Sequence, residues 1–196
     1  MGNYQKEISY KDIPTILLEN RIINLVGEVN DEMAYNITSL LHILNNESQT
    51  KPISLYINSP GGSCVSGLSI IDTMKHCSCP IYTIVTGMAA SMGAAILSAG
   101  DKRFALPNAT IMVHQSSGGQ QGNIQDMRIG FKYHEEINSR LAKIISENCG
   151  MSEEEYLEKT LRDFYMWPED ALPGKFGEKG IIDEIILPKE KKIVTR

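Results

Sequence analysis

A serine between a strand-like run and a run of small residues is the position in this chain best suited to chemistry. Ser91 follows the apolar stretch 81–86 and lies within the small-residue segment 87–95. This order predicts a strand-to-helix turn, where the first N–H groups of the helix are unpaired and favour negative charge. A hydroxyl beside such N–H groups is suited to nucleophilic attack, because they can stabilise the oxyanion that forms.

A serine nucleophile needs a base, and one histidine follows a predicted strand. His114 comes directly after the apolar run 110–113 and leads into a Gly/Gln/Ser loop at 115–122. Loops at strand ends are where catalytic groups gather, which makes His114 the candidate base. The other three histidines are predicted on helices, in surface or packing roles: His42, His76 and His134.

Asp163 is the candidate for the acid that orients this histidine. It is flanked by apolar and aromatic residues in the segment 161–166, where a lone carboxylate needs a cationic partner. A protonated histidine would serve as that partner. An ion pair with Arg162 or another basic neighbour is the alternative interpretation.

The glycines Gly61 and Gly62 are the second feature that could carry chemistry. Glycine allows positive φ and lets the backbone approach a ligand closely. An N–H group here, together with that of Met92, could hold an oxyanion. A plain turn is the competing interpretation, and the sequence does not decide between the two.

The bulk properties exclude several classes of protein. The chain has 196 residues and a net charge of -5, which fits one domain and argues against a general nucleic-acid binder. No apolar run approaches the ~18 residues of a membrane span, and the first residues lack the apolar stretch of a signal peptide. The cysteines lack the spacing of a zinc site. We therefore expect a cytoplasmic protein with reduced thiols, no metal or cofactor, and no nucleic-acid or membrane partner.

The order of predicted elements gives an α/β fold class. Strands alternate with helices, which predicts a largely parallel sheet. One helix begins at a cap formed by Asn30 or Asp31, and a second carries Val65, Leu68, Ile71 and Met74 on one face. The predicted strands are 22–26, 53–57, 81–86, 103–106, 110–113 and 181–187, with an extended segment at 162–166, a short helix at 152–157 and a helical turn at Pro168.

A long helical pattern runs from about residue 123 to 148. At 1.5 Å per residue such a helix would reach roughly 40 Å, which is long for a domain of this size. We expect part of it to project and to pack against another subunit. Its apolar face is predicted to comprise Ile124, Met127, Phe131, Ile137, Leu141 and Ile144.

Taken together, these segments resemble the ClpP family, the proteolytic component of Clp machines. The matching segments keep the family order and cover about residue 12 to the end; they are 56–62, 71–74, 87–93, 99–100, 102–104, 106–108, 112–115, 162–163 and 180–183. The resemblance implies an α/β ClpP/crotonase fold of stacked ββα units with a projecting handle helix. It also implies an N-terminal axial arm at 1–12 and one peptidase domain at 13–196.

The resemblance further implies a role for each candidate residue. Ser91 would be the nucleophile, His114 the general base and Asp163 the orienting acid of a serine endopeptidase. The backbone N–H groups of Gly62 and Met92 would form the oxyanion hole.

Substrate binding and assembly are implied in the same way. Gly61 and Gln115 would contribute to binding the substrate. Two stacked heptameric rings of this chain would enclose a chamber, and an AAA+ unfoldase of the ClpX or ClpA/ClpC type would deliver unfolded polypeptides.

The chain departs from the family pattern at several positions. Leu161 stands where the family usually has an acidic residue that helps to lock ring to ring, and Ser116 replaces a common proline and is expected to loosen the base of the handle. Residues 172–176 read as an insertion, and two residues are missing between Ala99 and Arg103. The arm also lacks the usual arginine-rich run. These departures predict a divergent paralogue or a mobile-element copy, in which docking of the unfoldase differs from the standard form.

Three other functions compete with a peptidase. A catalytically idle ClpP-like scaffold subunit of a mixed ring is the first, and the intact Ser, His and Asp set argues against it. A crotonase-like acyl-CoA enzyme would need no such triad. A Ser–Lys signal-peptide peptidase would need a lysine in place of His114.

Overall fold

The computed structural model describes residues 12–188. All but the last residue of the predicted arm at 1–12, and the basic tail at 189–196, lie outside the described residues. In chain order the elements are α1 (Ile13–Glu19), β1 (Ile22–Val26), α2 (Asp31–Glu47), β2 (Ile53–Ser59), α3 (Cys64–His76), β3 (Ile81–Ala90), α4 (Met92–Ser98), β4 (Lys102–Ala105), β5 (Thr110–Val113), α5 (Ile124–Cys149), α6 (Glu153–Lys159), β6 (Phe164–Met166), a 3₁₀ turn (Pro168–Asp170) and β7 (Glu184–Ile185).

A mostly parallel sheet in the order β1-β2-β3-β4-β7 forms the centre of the molecule. β4 pairs with the first half of β3, at 82–85, and β5 pairs in parallel with its last residues, at 88–90. β6 then adds to β5 in the antiparallel sense. The predicted α/β architecture is confirmed, and the longest strand connects the main sheet to the β5–β6 pair.

The core lies between this sheet and the helices that cover it. Strand residues such as Leu25, Leu55 and Val85 are fully buried, as is Ile96 of α4. Burial of a side chain of this size contributes roughly 1.5–3 kcal/mol, so these contacts hold α4 firmly against the sheet. The strand that ends at the candidate serine therefore rests on a rigid support.

The buried face of α3 includes the predicted Ile71 and Met74 but not the predicted Val65. Val65 is 57% exposed, whereas Ser66 and Gly67 are buried. A Cβ atom at Gly67 would lie 2.2 Å from Cγ of Met92, so the small residues let α3 approach α4 closely. A pattern of large apolar residues cannot show a contact that depends on small ones, which explains the error.

Two predicted strands differ most from the structure in length, by four residues or more. β3 runs to Ala90 rather than to Thr86, because its small residues continue the ladder to β5. The last strand comprises only Glu184 and Ile185 instead of 181–187. Ile181 and Ile182 are buried as expected, but their N–H groups donate to the carbonyl of Ala171 rather than to a neighbouring strand.

The predicted long helix is confirmed as α5, whose 26 residues span about 39 Å. Asn123 caps it by accepting from the N–H groups of Gln125 and Asp126. Its second half is packed, with Ile137 and Ile145 buried. Its first half leaves apolar side chains exposed, namely Ile124, Ile129, Phe131 and Tyr133. The helix thus carries an uncovered apolar surface in the single chain, and its contact with another subunit stays a prediction.

A buried arginine fastens the end of α5 to the last part of the chain. Arg103 is 6% exposed. Its guanidinium donates to the carbonyls of Asn148 at 3.1 Å, Gly180 at 2.9 Å and Lys179 at 3.2 Å, and it forms an ion pair with Asp183. Because its neighbours accept hydrogen bonds that no apolar side chain could donate, Arg103 is a structural requirement of this corner.

Replacing Arg103 with methionine is expected to lower the free energy of unfolding by about 3 kcal/mol, because buried acceptors and the Asp183 carboxylate lose their donor. The measurement is urea unfolding followed by the fluorescence of Trp167, the single tryptophan. Protein concentration is held constant, since assembly would add to apparent stability. Lys75→Met, at an exposed position of α3, is the control and should change little. A loss under 1 kcal/mol in Arg103→Met would contradict the role given to this guanidinium.

Candidate active site

Ser91 lies at the turn where β3 ends and α4 begins. Its backbone has φ 54° and ψ -117°, a conformation that costs a non-glycine residue about 1–3 kcal/mol. Two sets of hydrogen bonds hold it there. The N–H of Ser91 donates to the carbonyl of Met112 in β5 at 2.8 Å, and its carbonyl accepts from Ala94 and Ala95 of α4. A strained serine between a strand and a helix has the geometry of a nucleophile elbow.

The hydroxyl of Ser91 contacts the predicted base rather than its own helix. A serine that precedes a helix usually accepts a hydrogen bond from the helix N–H groups, but Ser91 does not. Its Oγ lies 2.8 Å from Nε2 of His114. The other ring nitrogen of His114, Nδ1, lies 3.2 Å from Oδ1 of Asp163. The structure therefore brings the three predicted residues into one chain of contacts.

The strand registers explain how distant residues meet. Ala90 of β3 pairs with Met112 of β5, which places Ser91 beside the end of β5. Val113 of β5 pairs with Phe164 of β6. Because the two strands are antiparallel, His114, which follows Val113, lies opposite Asp163, which precedes Phe164. Two short strand pairings thus fix the relative positions of all three side chains.

The three side chains differ in their exposure to solvent. Ser91 is half-buried, and the side chain of His114 is 22% exposed. That of Asp163 is 57% exposed and lies between the exposed residues Leu161 and Tyr165. The outer end of this arrangement is therefore open in the single chain, while its inner end is packed against α4.

The two glycines lie against the serine turn. The loop is held by Val29, whose N–H donates to the carbonyl of Gly61 and whose carbonyl accepts from Ser63, both at 2.8 Å. A Cβ atom at Gly61 would lie 2.7 Å from Cβ of Ser91 and 2.8 Å from the N atom of Met92. The N–H of Met92 is the first of α4 and precedes the first hydrogen bond within that helix. Only glycine permits so close an approach of this loop to the Met92 N–H.

Gly61 and Gly62 differ in what they can offer a substrate. The N–H of Gly61 donates to Oγ of Ser59 at 3.1 Å, so this residue contributes shape rather than a free donor. Gly62 pairs with Val29 as an isolated parallel bridge, which fixes its backbone beside that of Gly61. Its N–H and that of Met92 are the two backbone donors predicted from the sequence.

Two cavities adjoin His114. A narrow one of about 20 Å³ lies beside Ser91, with mainly apolar walls contributed by α3, α4 and α5, among them Cys64, Leu141 and Ile145. An open groove of about 450 Å³ lies on the other side, lined by Gln115 and by residues 160–163. Burial raises the pKa of the Cys64 thiol, which keeps it neutral. Because the thiolate is the reactive form, Cys64 contributes to the cavity wall and is poorly suited to be a competing nucleophile.

One contact near His114 was not predicted from the sequence. Oδ1 of Asn138, in the middle of α5, accepts from the N–H of Ser116 at 2.9 Å and from its hydroxyl at 3.2 Å. The sequence predicted a looser segment at Ser116, whereas the structure shows this residue held by two hydrogen bonds. The available signal was a polar residue between Ile137 and Leu141 in the apolar stripe of the helix, but nothing in the sequence names its partner.

The fold and these contacts define an α/β protein with the Ser-His-Asp arrangement of serine hydrolases. A more specific assignment comes from comparison with known families: the family model described as Clp protease matches residues 5–189. The chain therefore belongs to the Clp protease family, and the resemblance seen in its motifs is confirmed. Membership supports a ClpP-type peptidase, and proteins of this family generally form oligomeric rings that work with unfoldases.

Membrane-spanning helices are a separate question. Among residues 12–188, no helix is both long enough and apolar enough to cross a bilayer.

Gly61→Ala is expected to lower the rate of reaction with a fluorophosphonate, a probe of activated serines, by at least about 100-fold. The new methyl group would occupy space beside the Met92 N–H, and losing one oxyanion donor costs 10²–10³ in rate. Gly27→Ala is the matched control. Gly27 has φ 94°, against 93° for Gly61, but its Cβ would meet nothing within 4 Å.

Both glycine variants should lose stability because of the positive φ, Gly61→Ala more so because its Cβ also overlaps the serine turn, and only Gly61→Ala should lose reactivity. Thermal unfolding monitored by circular dichroism gives the first quantity, and the labelling rate gives the second. Equal labelling rates for the two variants would show that Gly61 is not part of the oxyanion site.

Proposed function

We propose that this chain is a serine endopeptidase subunit of a self-compartmentalised Clp-type protease, which cleaves unfolded polypeptides. The observation that carries the proposal is the continuous chain of contacts from Ser91 through His114 to Asp163, at 2.8 Å and 3.2 Å, beginning at a strained turn. Side chains that merely pack do not require such a strained backbone.

In the first half of the reaction, Nε2 of His114 takes the proton of Ser91 Oγ as the oxygen attacks the carbonyl carbon of a peptide bond. The oxyanion of the tetrahedral intermediate is stabilised by the N–H groups of Gly62 and Met92. His114 then gives the proton to the leaving amine, the C–N bond breaks, and an acyl-enzyme remains.

In the second half, water attacks the acyl-enzyme and His114 acts again as the general base. Asp163 accepts from the Nδ1–H of His114 throughout, which fixes the tautomer of the ring and stabilises its protonated form. This proton transfer uses only side chains and backbone of the chain, so the proposal requires no metal or cofactor.

The open groove beside the triad is suited to an extended peptide. The narrow cavity next to Ser91, at about 20 Å³, has room for only about one water molecule, whereas the open groove of about 450 Å³ beside His114 would take a stretch of the substrate chain. Gln115 lies in that groove, and Gly61 forms the wall of the oxyanion site. A folded protein cannot place its backbone in such a groove, which favours unfolded substrates.

Assembly is proposed from the surfaces that the single chain leaves open. The first half of α5 and the segment around β6 both expose apolar side chains, including Phe131 and Tyr165. Patches of this kind mark interaction sites. We infer a homo-oligomer of two stacked heptameric rings in the cytoplasm, built from a domain at 13–196, with an arm at 1–12 facing an AAA+ unfoldase.

The assembled wild-type protein is expected to react with a fluorophosphonate at Ser91, identified by mass spectrometry of the labelled peptide. Ser91→Ala should abolish labelling, and His114→Gln should slow it by more than about 100-fold, since the base is lost. Cys64→Ala is the control that excludes labelling of the nearby thiol, and it should label like the wild type. An assembled particle that does not label would contradict the peptidase proposal and favour the idle scaffold subunit of a mixed ring.

The proposed division of work with an unfoldase gives a further prediction. Short peptides should be cleaved without ATP, whereas a folded protein should be degraded only when a cognate AAA+ unfoldase and ATP are present. A standard unfoldase should stimulate degradation less than the cognate one, because the arm lacks the arginine-rich run. The measurement is the rate of degradation of one tagged folded protein with each unfoldase. Equal stimulation by both would contradict altered docking.

A further inference from the structure

The loop after His114 lies along one face of α5, in contact with three successive turns. Ser116 is bound to Asn138. A Cβ atom at Gly118 would lie 3.0 Å from the ring of His134, so this glycine is packed against the ring.

The third contact involves Gln120. Its Nε2 lies 3.4 Å from Nδ1 of His134, and its side chain covers Gly130, where a Cβ atom would lie 2.3 Å from it. The helix positions in contact, 130, 134 and 138, are four residues apart and therefore share one face.

The spacing of the two segments matches. Two residues of extended chain advance about 6.6 Å, and four residues of helix advance about 6 Å. Alternate residues of the loop can therefore meet successive turns of α5, which is why the contacts repeat. Of these contacts, the Ser116–Asn138 pair is the one nearest to the triad.

We propose that Asn138 is a positioning residue for His114, an inference that rests on the proposed function. The backbone of His114 is restrained on one side by the β5–β6 ladder, which ends at Val113. Two residues after His114, Asn138 holds Ser116 by its N–H and its hydroxyl. The backbone that carries His114 is thus held between two anchors, at a position from which Nε2 of the ring reaches Ser91.

Asn138 has a second effect on the same site. It lines both the narrow cavity beside Ser91 and a separate groove of about 260 Å³ that lies beside Phe131 and Glu135. Its half-buried amide forms part of the wall between them. Loss of the hydrogen bonds would both release Ser116 and weaken the separation of these two spaces.

Two substitutions separate the hydrogen bonds from the packing. Asn138→Leu keeps a side chain of similar size but cannot accept a hydrogen bond, whereas Asn138→Asp keeps an oxygen in the accepting position. Asn138→Leu should lower kcat for a short peptide, and the rate of fluorophosphonate labelling, about tenfold with KM changed less than twofold. Asn138→Asp should stay within about threefold of the wild type in both quantities.

Two further measurements exclude a purely structural effect. Amide hydrogen exchange at Ser116 should be faster in Asn138→Leu than in Asn138→Asp, while sedimentation shows the same assembly for both. Ser116→Pro removes the N–H donor, so its effect on the labelling rate should not add to that of Asn138→Leu in the double variant.

The outcomes distinguish this inference from the proposed function. A wild-type protein that does not label overturns the proposed function and the role of Asn138 with it. A wild type that labels, with Asn138→Leu equally fast, overturns the role of Asn138 alone. Additive effects in the double variant, or an Asn138→Asp protein as slow as Asn138→Leu, would also overturn it.

Discussion

The short ladder between the end of β3 and β5 is the constraint on which the site depends. It sets the position of Ser91, because the N–H of Ser91 continues this ladder by donating to Met112. It also sets the position of His114, because this residue directly follows β5 and so lies beside the end of β3, where Ser91 is. The cost of the strained backbone at Ser91 is offset by the packing of α4, which is buried along its whole length. A small displacement of β5 would therefore separate Oγ from Nε2 without any change in either side chain.

The sequence predicted which strands, helices and side chains form the site better than it predicted where those strands end. The strand before Ser91, the position of His114 and the long helix were predictable, because apolar runs, glycines and capping residues act locally. The extension of β3 to Ala90 was not, since its last residues continue the strand by pairing with β5 and, at Ala89, with Ser59 of β2, both distant in sequence. On α3 the sequence predicted the burial of Ile71 and Met74 but missed that of Gly67, which is covered by Met92 rather than buried by its own hydrophobicity.

The candidate triad shows the same division between local and tertiary information. From residue types alone, the partner of Asp163 could be a histidine or Arg162. The β5–β6 register places Asp163 opposite His114, and the two side chains are in contact. Ser116 is instructive in the opposite sense, since the loss of a proline predicted a looser segment. Its N–H, which a proline would lack, is the group that donates to Asn138. The rigid ring of a proline is thus replaced here by hydrogen bonds to Asn138. The sequence could not show this, because it does not give the position of Asn138 relative to Ser116.

The single chain brings Ser91 and His114 into contact but leaves Asp163 open to solvent. The carboxylate is more than half exposed, and an exposed charge interacts with His114 through a high dielectric and is screened by salt. Leu161 and Tyr165 beside it are apolar and exposed, so a surface that covers them would also remove water from Asp163. Such a cover would strengthen the His114–Asp163 interaction, because the same two charges attract more strongly at lower dielectric. In the proposed ring, assembly at this surface would therefore do more than enclose the substrate, since it would also stabilise the orientation of the base. In that proposed ring, Leu161 would contribute apolar burial at the position where the resemblance implies an acidic residue, so the stabilisation would not rest on an ion pair there.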